Sequence, residues 1–287
     1  LNFALDYGFA RDRIYGSIEY YIRETDDLIN YISVPAGSNL TNYIYTNIGS
    51  MENRGVEFSI TGRPVSSKNA LWEIGLNANY NQNEITKLTL NDASGYVGVP
   101  TGIISGGFGN NIQIHSIGHP MNSFYVYEQV YDENGLPIQG LYVDRDGDGE
   151  ITEKDKYHYK KPSGDIIYGA NTRFTYKSFE ISAAGHGSFG NAEYNNVNSS
   201  NGSAGSMYNS VGYLINTTVD AKENNFTNYE YFSDYYVEDA SFLRLKSLQL
   251  GWNIPESILK STKVVKGAKI YFIGRNLLTF TEYSGPD

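Results

Sequence analysis

Three aspartates at alternating positions, followed by a glycine, mark residues 144–155, which read DRDGDGEITEKD. In a twelve-residue calcium loop the ligands occupy positions 1, 3, 5, 7 and 12, and a glycine at position 6 permits the sharp turn. Gly149 stands at position 6 here, and position 7 would offer its backbone carbonyl. The segment therefore predicts a calcium site built by Asp144, Asp146, Asp148, Glu150 and Asp155.

Two features differ from a full EF-hand. Position 12 is Asp155 rather than the longer glutamate, and the flanking residues lack helical periodicity. A solvated acidic turn is the alternative interpretation of the same residues. Because the segment lies within a long connection, we expect a bound calcium ion to stiffen a surface loop rather than to take part in a reaction.

No other set of residues assembles a reaction. The chain has no cysteine, which excludes thiolate metal sites and disulfides. His115 and His119 have the spacing of two zinc ligands on a helix, but Gly118 and Pro120 make a helix there improbable. The GHGSFG run at 185–190 is not followed by the helix that a dinucleotide site requires. We therefore expect no enzyme, and the net charge of −10 argues against nucleic acid as a partner.

Strand-like alternation of apolar and polar residues dominates the chain. In residues 72–81, for example, Trp72, Ile74 and Leu76 alternate with polar or small residues. Such segments predict strands with one apolar and one polar face. Eight are expected, at about 1–9, 14–24, 54–63, 71–81, 170–176, 178–187, 241–252 and 268–280.

Short and long connections alternate between these strands. The long ones cover residues 25–53, 82–169 and 188–240, and the segment 82–169 carries the predicted calcium loop. Outer-membrane barrels have this asymmetry, with short periplasmic turns and long extracellular loops. The pattern therefore predicts an all-β fold, an antiparallel transmembrane β-barrel segment. An ordinary β-sandwich with insertions is the alternative.

The long connections are rich in Asn, Ser, Gly and Tyr, as in YNNVNSSNGSAGSMYN at 194–209. This composition disfavours a packed core and is typical of a flexible or ligand-facing surface. Three tyrosines of the long connection 188–240 are candidates for stacking on a substrate such as a sugar: Tyr194, Tyr208 and Tyr213. Alternatively, these rings pack the loops together or against a partner.

Three segments resemble one family. NIGSMENRGVEFSITGRPV (47–65), ASFLRLKSLQLGWNIP (240–255) and GRNLLTFTEYSGPD (274–287) are similar to blocks of TonB-dependent outer-membrane transporters of the SusC/RagA branch. A loop of the DRDGDGEITEKDK type, followed by PSGDIIYGANTRFTYKSFEIS, also recurs in that branch. The resemblance implies that residues 1–287 are the C-terminal portion of a large plugged barrel, without the plug domain, the early strands and the last strand.

The resemblance further implies TonB-dependent import of oligosaccharides or peptides, together with a SusD-like surface lipoprotein. TonB would be engaged through the absent N-terminal part. The location implied is the outer membrane of a Gram-negative bacterium, with apolar strand faces toward outer-membrane lipid and loops toward the cell exterior. The alternative function is that of a secreted β-sandwich that binds glycans and carries a dockerin-like calcium loop.

Overall fold

The computed structural model of the chain describes residues 1–33, 37, 40, 43–88, 97–105, 110–208, 212–260 and 264–286. Its strands are β1 (Asn2–Phe9), β2 (Ile14–Ser33), β3 (Tyr43–Ser66), β4 (Ala70–Lys87), β5 (Val99–Ile103), β6 (Asn111–His115), β7 (Ser123–Val126) and β8 (Gln129–Tyr131). They continue with β9 (Pro137–Tyr142), β10 (Tyr157–His158), β11 (Ile166–Tyr176), β12 (Phe179–Phe189), β13 (Ala192–Tyr194), β14 (Val237–Asp239), β15 (Phe242–Asn253) and β16 (Lys269–Thr281). The described residues also form four short α-helices, α1 (Asn196–Asn201), α2 (Ala204–Met207), α3 (Asp220–Glu223) and α4 (Glu256–Leu259).

One eight-stranded antiparallel sheet, in the order β1-β2-β3-β4-β11-β12-β15-β16, forms the main body. Each strand pairs with the next strand of this sheet along the chain, and β1 and β16 are its two edges. All eight strands expected from the alternating pattern are present, and the antiparallel all-β prediction is confirmed. No helix among the described residues has both the length and the apolar character needed to cross a membrane.

Strands β2 and β3 are longer than the sequence pattern predicts. Their pairing continues to Ser33 opposite Tyr43, so most of the predicted loop 25–53 is strand. The register shifts between Thr25 and Leu28, where Asp27 has a φ of 56°. This bulge absorbs the two acidic residues that interrupt the alternation. The connection that remains, 34–42, lies largely outside the described residues.

Most apolar residues of the eight strands lie on one face of the sheet. In register, Leu5 is opposite Ile18 and Ile18 is opposite Phe58. This face is not covered by a second sheet: Leu5 is 64% exposed and Phe272 is 73% exposed. A β-sandwich buries such faces between two sheets, so the sandwich alternative is wrong.

The opposite face is polar and internally hydrogen-bonded. The hydroxyl groups of Ser17 and Ser59 lie 2.8 Å apart. Toward the end with the short turns, Glu180 accepts from Arg173 at 2.7 Å and from Lys269 at 3.1 Å.

The asymmetry of the connections is confirmed. Residues 10–13, 67–69, 177–178 and 254–268 connect strands at one end of the sheet. The connections at the other end are residues 34–42, 88–165 and 190–241. The longest loop thus begins at 88 and ends at 165, slightly inside the predicted 82–169, because β4 and β11 both extend further toward this end.

Candidate functional site

The two longest connections fold together. We call the described residues of 88–165 and 190–241 the loop module. It contains the small sheets β10-β7-β6-β5, β8-β9 and β13-β14. Its core is a single cluster contributed by both loops: Ile104, Ile112, Phe124, Val126, Ala192, Tyr194, Phe226, Tyr236 and Val237.

Backbone and side-chain hydrogen bonds join the two loops at their centre. The Tyr127 amide donates to the Phe232 carbonyl at 2.8 Å, and the Asp234 amide donates to the Tyr127 carbonyl at 2.9 Å. Ser233, which is fully buried, donates its hydroxyl to Gln129 at 2.7 Å. These bonds satisfy polar groups that burial has removed from water, so the loops form one body.

Two tyrosine–carboxylate pairs add to this connection. Tyr157 donates to Asp234 at 2.7 Å, and Tyr142 donates to Glu230. Burial raises the pKa of the Asp234 carboxyl, although its hydrogen bonds from Tyr157 and the Gln129 amide act in the opposite direction. Burial, followed by the bond to Glu230, raises the pKa of Tyr142. Each hydroxyl therefore remains protonated and continues to donate.

The predicted calcium loop projects from this module with three carboxylates close together. One oxygen each of Asp144, Asp146 and Asp148 lies within 4.8 Å of the others. Asp144 accepts from the amides of Gly147 at 2.7 Å and Gly149 at 2.8 Å. Both glycines have left-handed φ values, 75° and 85°, as a chain that turns its carboxylates inward requires. Hard oxygen ligands in this arrangement fit a calcium ion.

Of the two remaining predicted ligands, the Asp155 carboxylate lies outside that group of side-chain oxygens, and the Glu150 ligand is a backbone carbonyl that stays a prediction. Asp155 is fully buried and accepts from the amides of Arg145 at 2.8 Å and Thr152 at 2.7 Å. The Thr152 amide is the largest cause of a lowered pKa at Asp155. Glu150 is exposed, and its amide donates to Asp148 at 2.9 Å. Asp155 thus closes the loop on itself through backbone amides.

Cationic side chains of the calcium loop and its flank pack on rings of the module. The Arg145 guanidinium lies 4.5 Å from the centre of the Tyr157 ring, and the Lys156 ammonium lies 4.2 Å from that of Phe232. Lys156 also pairs with Glu153 at 2.8 Å. Such contacts stabilise by about 0.5–2 kcal/mol each. They connect the loop directly to the interface between the two long connections.

The three candidate tyrosines lie in different surroundings. Tyr194 is only 7% exposed, belongs to the core and donates to the Tyr231 carbonyl at 2.8 Å. Its ring therefore packs the loops together and is not presented to a ligand. Tyr208 and Tyr213 are 73% and 64% exposed, on a segment where Tyr208 pairs with Leu214.

The sequence analysis did not detect a stacked histidine pair in the module. The ring centres of His119 and His158 lie 3.5 Å apart, and the angle between the two ring planes is 5°. Burial, and then the neighbouring His119, lowers the pKa of His158 to about 4. His115 instead contacts Asn122 at 2.8 Å. Within the described ranges, Asp144, Asp146 and Asp148 are the only group of three or more His, Cys, Asp or Glu side chains placed closely enough to hold a metal ion.

Comparison with known proteins gives a consistent result over the whole chain. No family model matches it. The TonB-dependent receptor SusC of Bacteroides thetaiotaomicron is 39% identical over all of this chain, which covers 29% of that protein. A TonB-dependent receptor of Formosa agariphila is 31% identical over all of this chain, and 30% of that receptor is covered. A solved structure of the RagAB peptide transporter superposes with a TM-score of 0.75 at 29% identity, covering 99% of this chain and 32% of the other.

The chain matches the C-terminal barrel part of SusC/RagA-type TonB-dependent receptors. It spans about a third of the length of the curated relatives and solved structures. TonB-dependent receptors are outer-membrane proteins, and the chain is a segment of an outer-membrane protein. The proteins that it resembles are receptors and a transporter rather than enzymes.

Proposed function

We propose that the chain forms part of the wall and the extracellular loops of a TonB-dependent importer. This importer takes up oligosaccharides or peptides across the outer membrane, and a SusD-like lipoprotein assists it at the cell surface. Coupling to TonB occurs through a part of the receptor that lies outside this chain. The apolar face of the sheet contacts outer-membrane lipid, and the polar face lines the lumen.

The observation that carries this proposal is the similarity to SusC and to RagAB along the whole chain. The surface of the sheet supports it. Exposed Leu5 and Phe272 are costly in water but favourable in lipid, since each apolar side chain that leaves water contributes about 1.5–3 kcal/mol. The tight turns and long loops also have the distribution that outer-membrane barrels require.

Orientation can be tested by single cysteines, because the chain contains none. Asn134 is exposed in the loop module, and Ser67 is exposed in a short turn at the opposite end. In the intact receptor on living cells, we expect a membrane-impermeant maleimide to label Asn134→Cys at once. Ser67→Cys should react only after the outer membrane is permeabilised. The reverse order of labelling would overturn the proposal.

Import is tested by uptake of radiolabelled oligosaccharide and peptide pools in cells that express the intact receptor. We expect uptake of one pool and its loss when TonB is depleted. Uptake that persists without TonB would refute energised import. Neither pool being taken up would refute the substrate classes proposed.

The lipoprotein contact is proposed for the described residues 207–208 and 212–219. Besides Tyr208 and Tyr213, Leu214 is 64% and Val219 is 73% exposed, and such apolar patches mark interaction sites. Tyr208 and Tyr213 remain candidates for contact with substrate at the same surface. Replacing Leu214 and Val219 by serine should reduce the amount of lipoprotein that copurifies with the receptor. An unchanged yield would exclude this segment as the contact.

We also propose that Asp144, Asp146 and Asp148 hold a structural calcium ion, with Glu150 and Asp155 as the other predicted members of the loop. The ion would supply positive charge that relieves repulsion among three clustered carboxylates. Calorimetric titration of the chelator-treated receptor with calcium should show binding at one site. No heat of binding, with magnesium as the control, would overturn this proposal.

A further inference from the structure

The apolar face of the large sheet carries a hollow of about 350 Å³. It is lined by Trp72, Thr172, Phe174, Ile181, Ala183 and Leu248. These residues lie on β4, β11, β12 and β15, and each of these strands has a paired strand on both sides. The hollow is therefore part of the continuous wall and does not depend on an open edge of the sheet.

The sizes of the side chains on neighbouring strands explain the hollow. In the register of β11 and β12, Ala170 is opposite Gly185 and Thr172 is opposite Ala183, so small residues form its floor. Larger side chains flank the floor on both sides: Trp72, Ile74 and Leu76 on β4, and Leu245, Leu248 and Leu250 on β15.

The hydroxyl group of Thr172 makes its hydrogen bonds within the wall. It accepts from the Trp72 indole at 2.9 Å and donates to the Glu73 carbonyl at 3.2 Å. A hydroxyl with these partners needs no hydrogen bond from an occupant. The floor of the hollow is therefore suited to a hydrocarbon chain.

A second hollow of about 670 Å³ continues the first toward the short turns, and both are lined by Phe174 and Ile181. Its lining adds Tyr176 and Trp252, residue types that are enriched where a membrane meets water. We call the two hollows together the outer groove. From Tyr176 to Ala170 it runs about 20 Å along β11. Since barrel strands are tilted by about 35–45°, this length covers roughly the 15 Å depth of one leaflet.

Basic side chains gather at the short turns, where the outer groove opens. The described residues of these turns carry six Lys or Arg side chains and two carboxylates, although the chain as a whole has a net charge of −10. The basic residues are Arg11, Arg13, Lys68, Lys177, Lys260 and Lys266, and the acidic ones are Asp12 and Glu256. The Lys177 amide donates to the Asn69 carbonyl at 2.7 Å, so the turns that contain Lys68 and Lys177 lie side by side.

Lys177 is placed to meet a phosphate at the mouth of the groove. Its ammonium group lies 5.3 Å from the centre of the Tyr176 ring, and a lysine stem along an apolar surface leaves the charge at the water boundary. Glu180 pairs with Arg173 and Lys269 on the polar face, and no described carboxylate forms an ion pair with Lys177. Anionic lipid headgroups attract basic side chains in such a position.

We propose that the outer groove binds one acyl chain of an anionic phospholipid of the periplasmic leaflet, and that Lys177 and Lys68 hold its phosphate. The proposal rests on the proposed placement of the apolar face in the outer membrane and goes beyond it, because it assigns one class of lipid to one place on the wall. A zwitterionic phospholipid binds less well here because the lysines repel its own cationic group.

Quenching of tryptophan fluorescence by brominated phospholipids tests the proposal, because Trp252 lines the groove. The intact receptor is reconstituted in phosphatidylcholine vesicles that contain a small share of either brominated phosphatidylglycerol or brominated phosphatidylcholine. The difference between wild type and Trp252→Phe isolates the signal of this residue. We expect brominated phosphatidylglycerol to quench that signal several-fold more strongly than brominated phosphatidylcholine at the same share.

Three variants locate the binding site. Replacement of both Lys177 and Lys68 by glutamine should abolish the preference for phosphatidylglycerol and leave quenching by brominated phosphatidylcholine unchanged. Lys160→Gln is the matched control, because the Lys160 ammonium lies 4.9 Å from the centre of the Tyr159 ring but belongs to the loop module. Ala183→Leu fills the floor of the groove and should reduce the preference. Heat-modifiable migration in gels verifies that each variant retains a folded barrel.

Equal quenching by the two brominated lipids would overturn the proposal. A preference that survives the double lysine variant, that survives Ala183→Leu in full, or that disappears in Lys160→Gln would do the same. Equal quenching of Trp252 would still agree with an apolar face in lipid and would leave the proposed function standing. Quenching of Trp252 by neither lipid would refute both, so the two failures can be separated.

Discussion

Replacement of Phe226 by alanine should loosen the loop module without affecting the barrel strands. Phe226 is fully buried, and its ring meets that of Tyr235 edge-on at 5.7 Å. Removal of a buried phenylalanine ring costs about 3–5 kcal/mol, the sum of lost transfer energy and the cavity left behind. Phe226→Leu fills most of that space and should cost less than about 1.5 kcal/mol.

Hydrogen exchange of the intact receptor in detergent can measure this effect. Every 1.4 kcal/mol corresponds to a tenfold change in an equilibrium constant. Phe226→Ala should therefore raise the equilibrium constant for local opening of the loop module about a hundredfold or more. Because both loops contribute to the core, amides in 110–142 and in 192–208 should both exchange faster. Amides of β11 and β12 should not change. Faster exchange confined to the loop that contains Phe226, or spreading into these strands, would refute the concept of one separate module.

Three further predictions follow from the module. Asp146→Asn should reduce calcium affinity at least tenfold in calorimetric titration because it removes one of three clustered carboxylates; unchanged affinity would exclude this residue as a ligand. Asp234→Ala should destabilise the module by about 2–4 kcal/mol, since the Tyr157 hydroxyl and the Gln129 amide lose their acceptor, whereas Asp234→Asn should retain most of the stability. In the folded protein the pKa of His158 is about 4, below its unfolded value of 6.5. The folding free energy that neutral His158 contributes is therefore complete above pH 6.5 and is lost as the pH falls toward 4. Solvent screening limits that contribution to roughly 1–2 kcal/mol, and His158→Gln should flatten the pH dependence of loop exchange in that window.

The strands could be predicted because one physical rule governs them. Residues such as Ile18, Phe58 and Leu76 alternate with polar neighbours, and each strand of the large sheet has different surroundings on its two faces. The rule does not predict how far strands continue into the long connections, and the largest such extension is in β2 and β3, over residues 25–33 and 43–53. There the bulge at Asp27 shifts the alternation of the side chains.

The packing of the loops could not be predicted from composition. Asn195 and Asn224 are 0% and 1% exposed, yet asparagine in a sequence favours a surface loop. Asn224 donates to the Gly202 carbonyl at 2.8 Å and accepts from the Phe226 amide at 2.7 Å. Only the tertiary structure supplies these partners, and they make burial of an amide tolerable. The prediction that Tyr194 contacts a ligand has the same weakness, because a tyrosine that packs a core and one that meets a sugar have the same local sequence.

The geometry of residues 144–155, the predicted calcium loop, was predictable in part. The spacing of Asp144, Asp146 and Asp148 fixes where their oxygens converge, because alternating positions of a tight loop point to one side. The position of Asp155 depends on the turn that follows. Thr152 caps the short 3₁₀ turn Glu153–Asp155, and Asp155 bonds back to the Thr152 amide in a capping box. The same carboxylate that would complete a calcium site therefore serves as a cap.

The distribution of apolar residues explains why the two parts of the chain can act separately. On the sheet, Phe272 is 73% exposed, whereas in the loop module Phe226 and Tyr236 are almost completely buried. A chain in a single solvent would bury the larger side chains of both parts. The difference indicates two solvents: lipid stabilises the sheet from outside, and the loop module obtains its stability from its own core. Substitutions in the core of the loop module should therefore alter the proposed contacts with substrate and lipoprotein while the barrel stays folded.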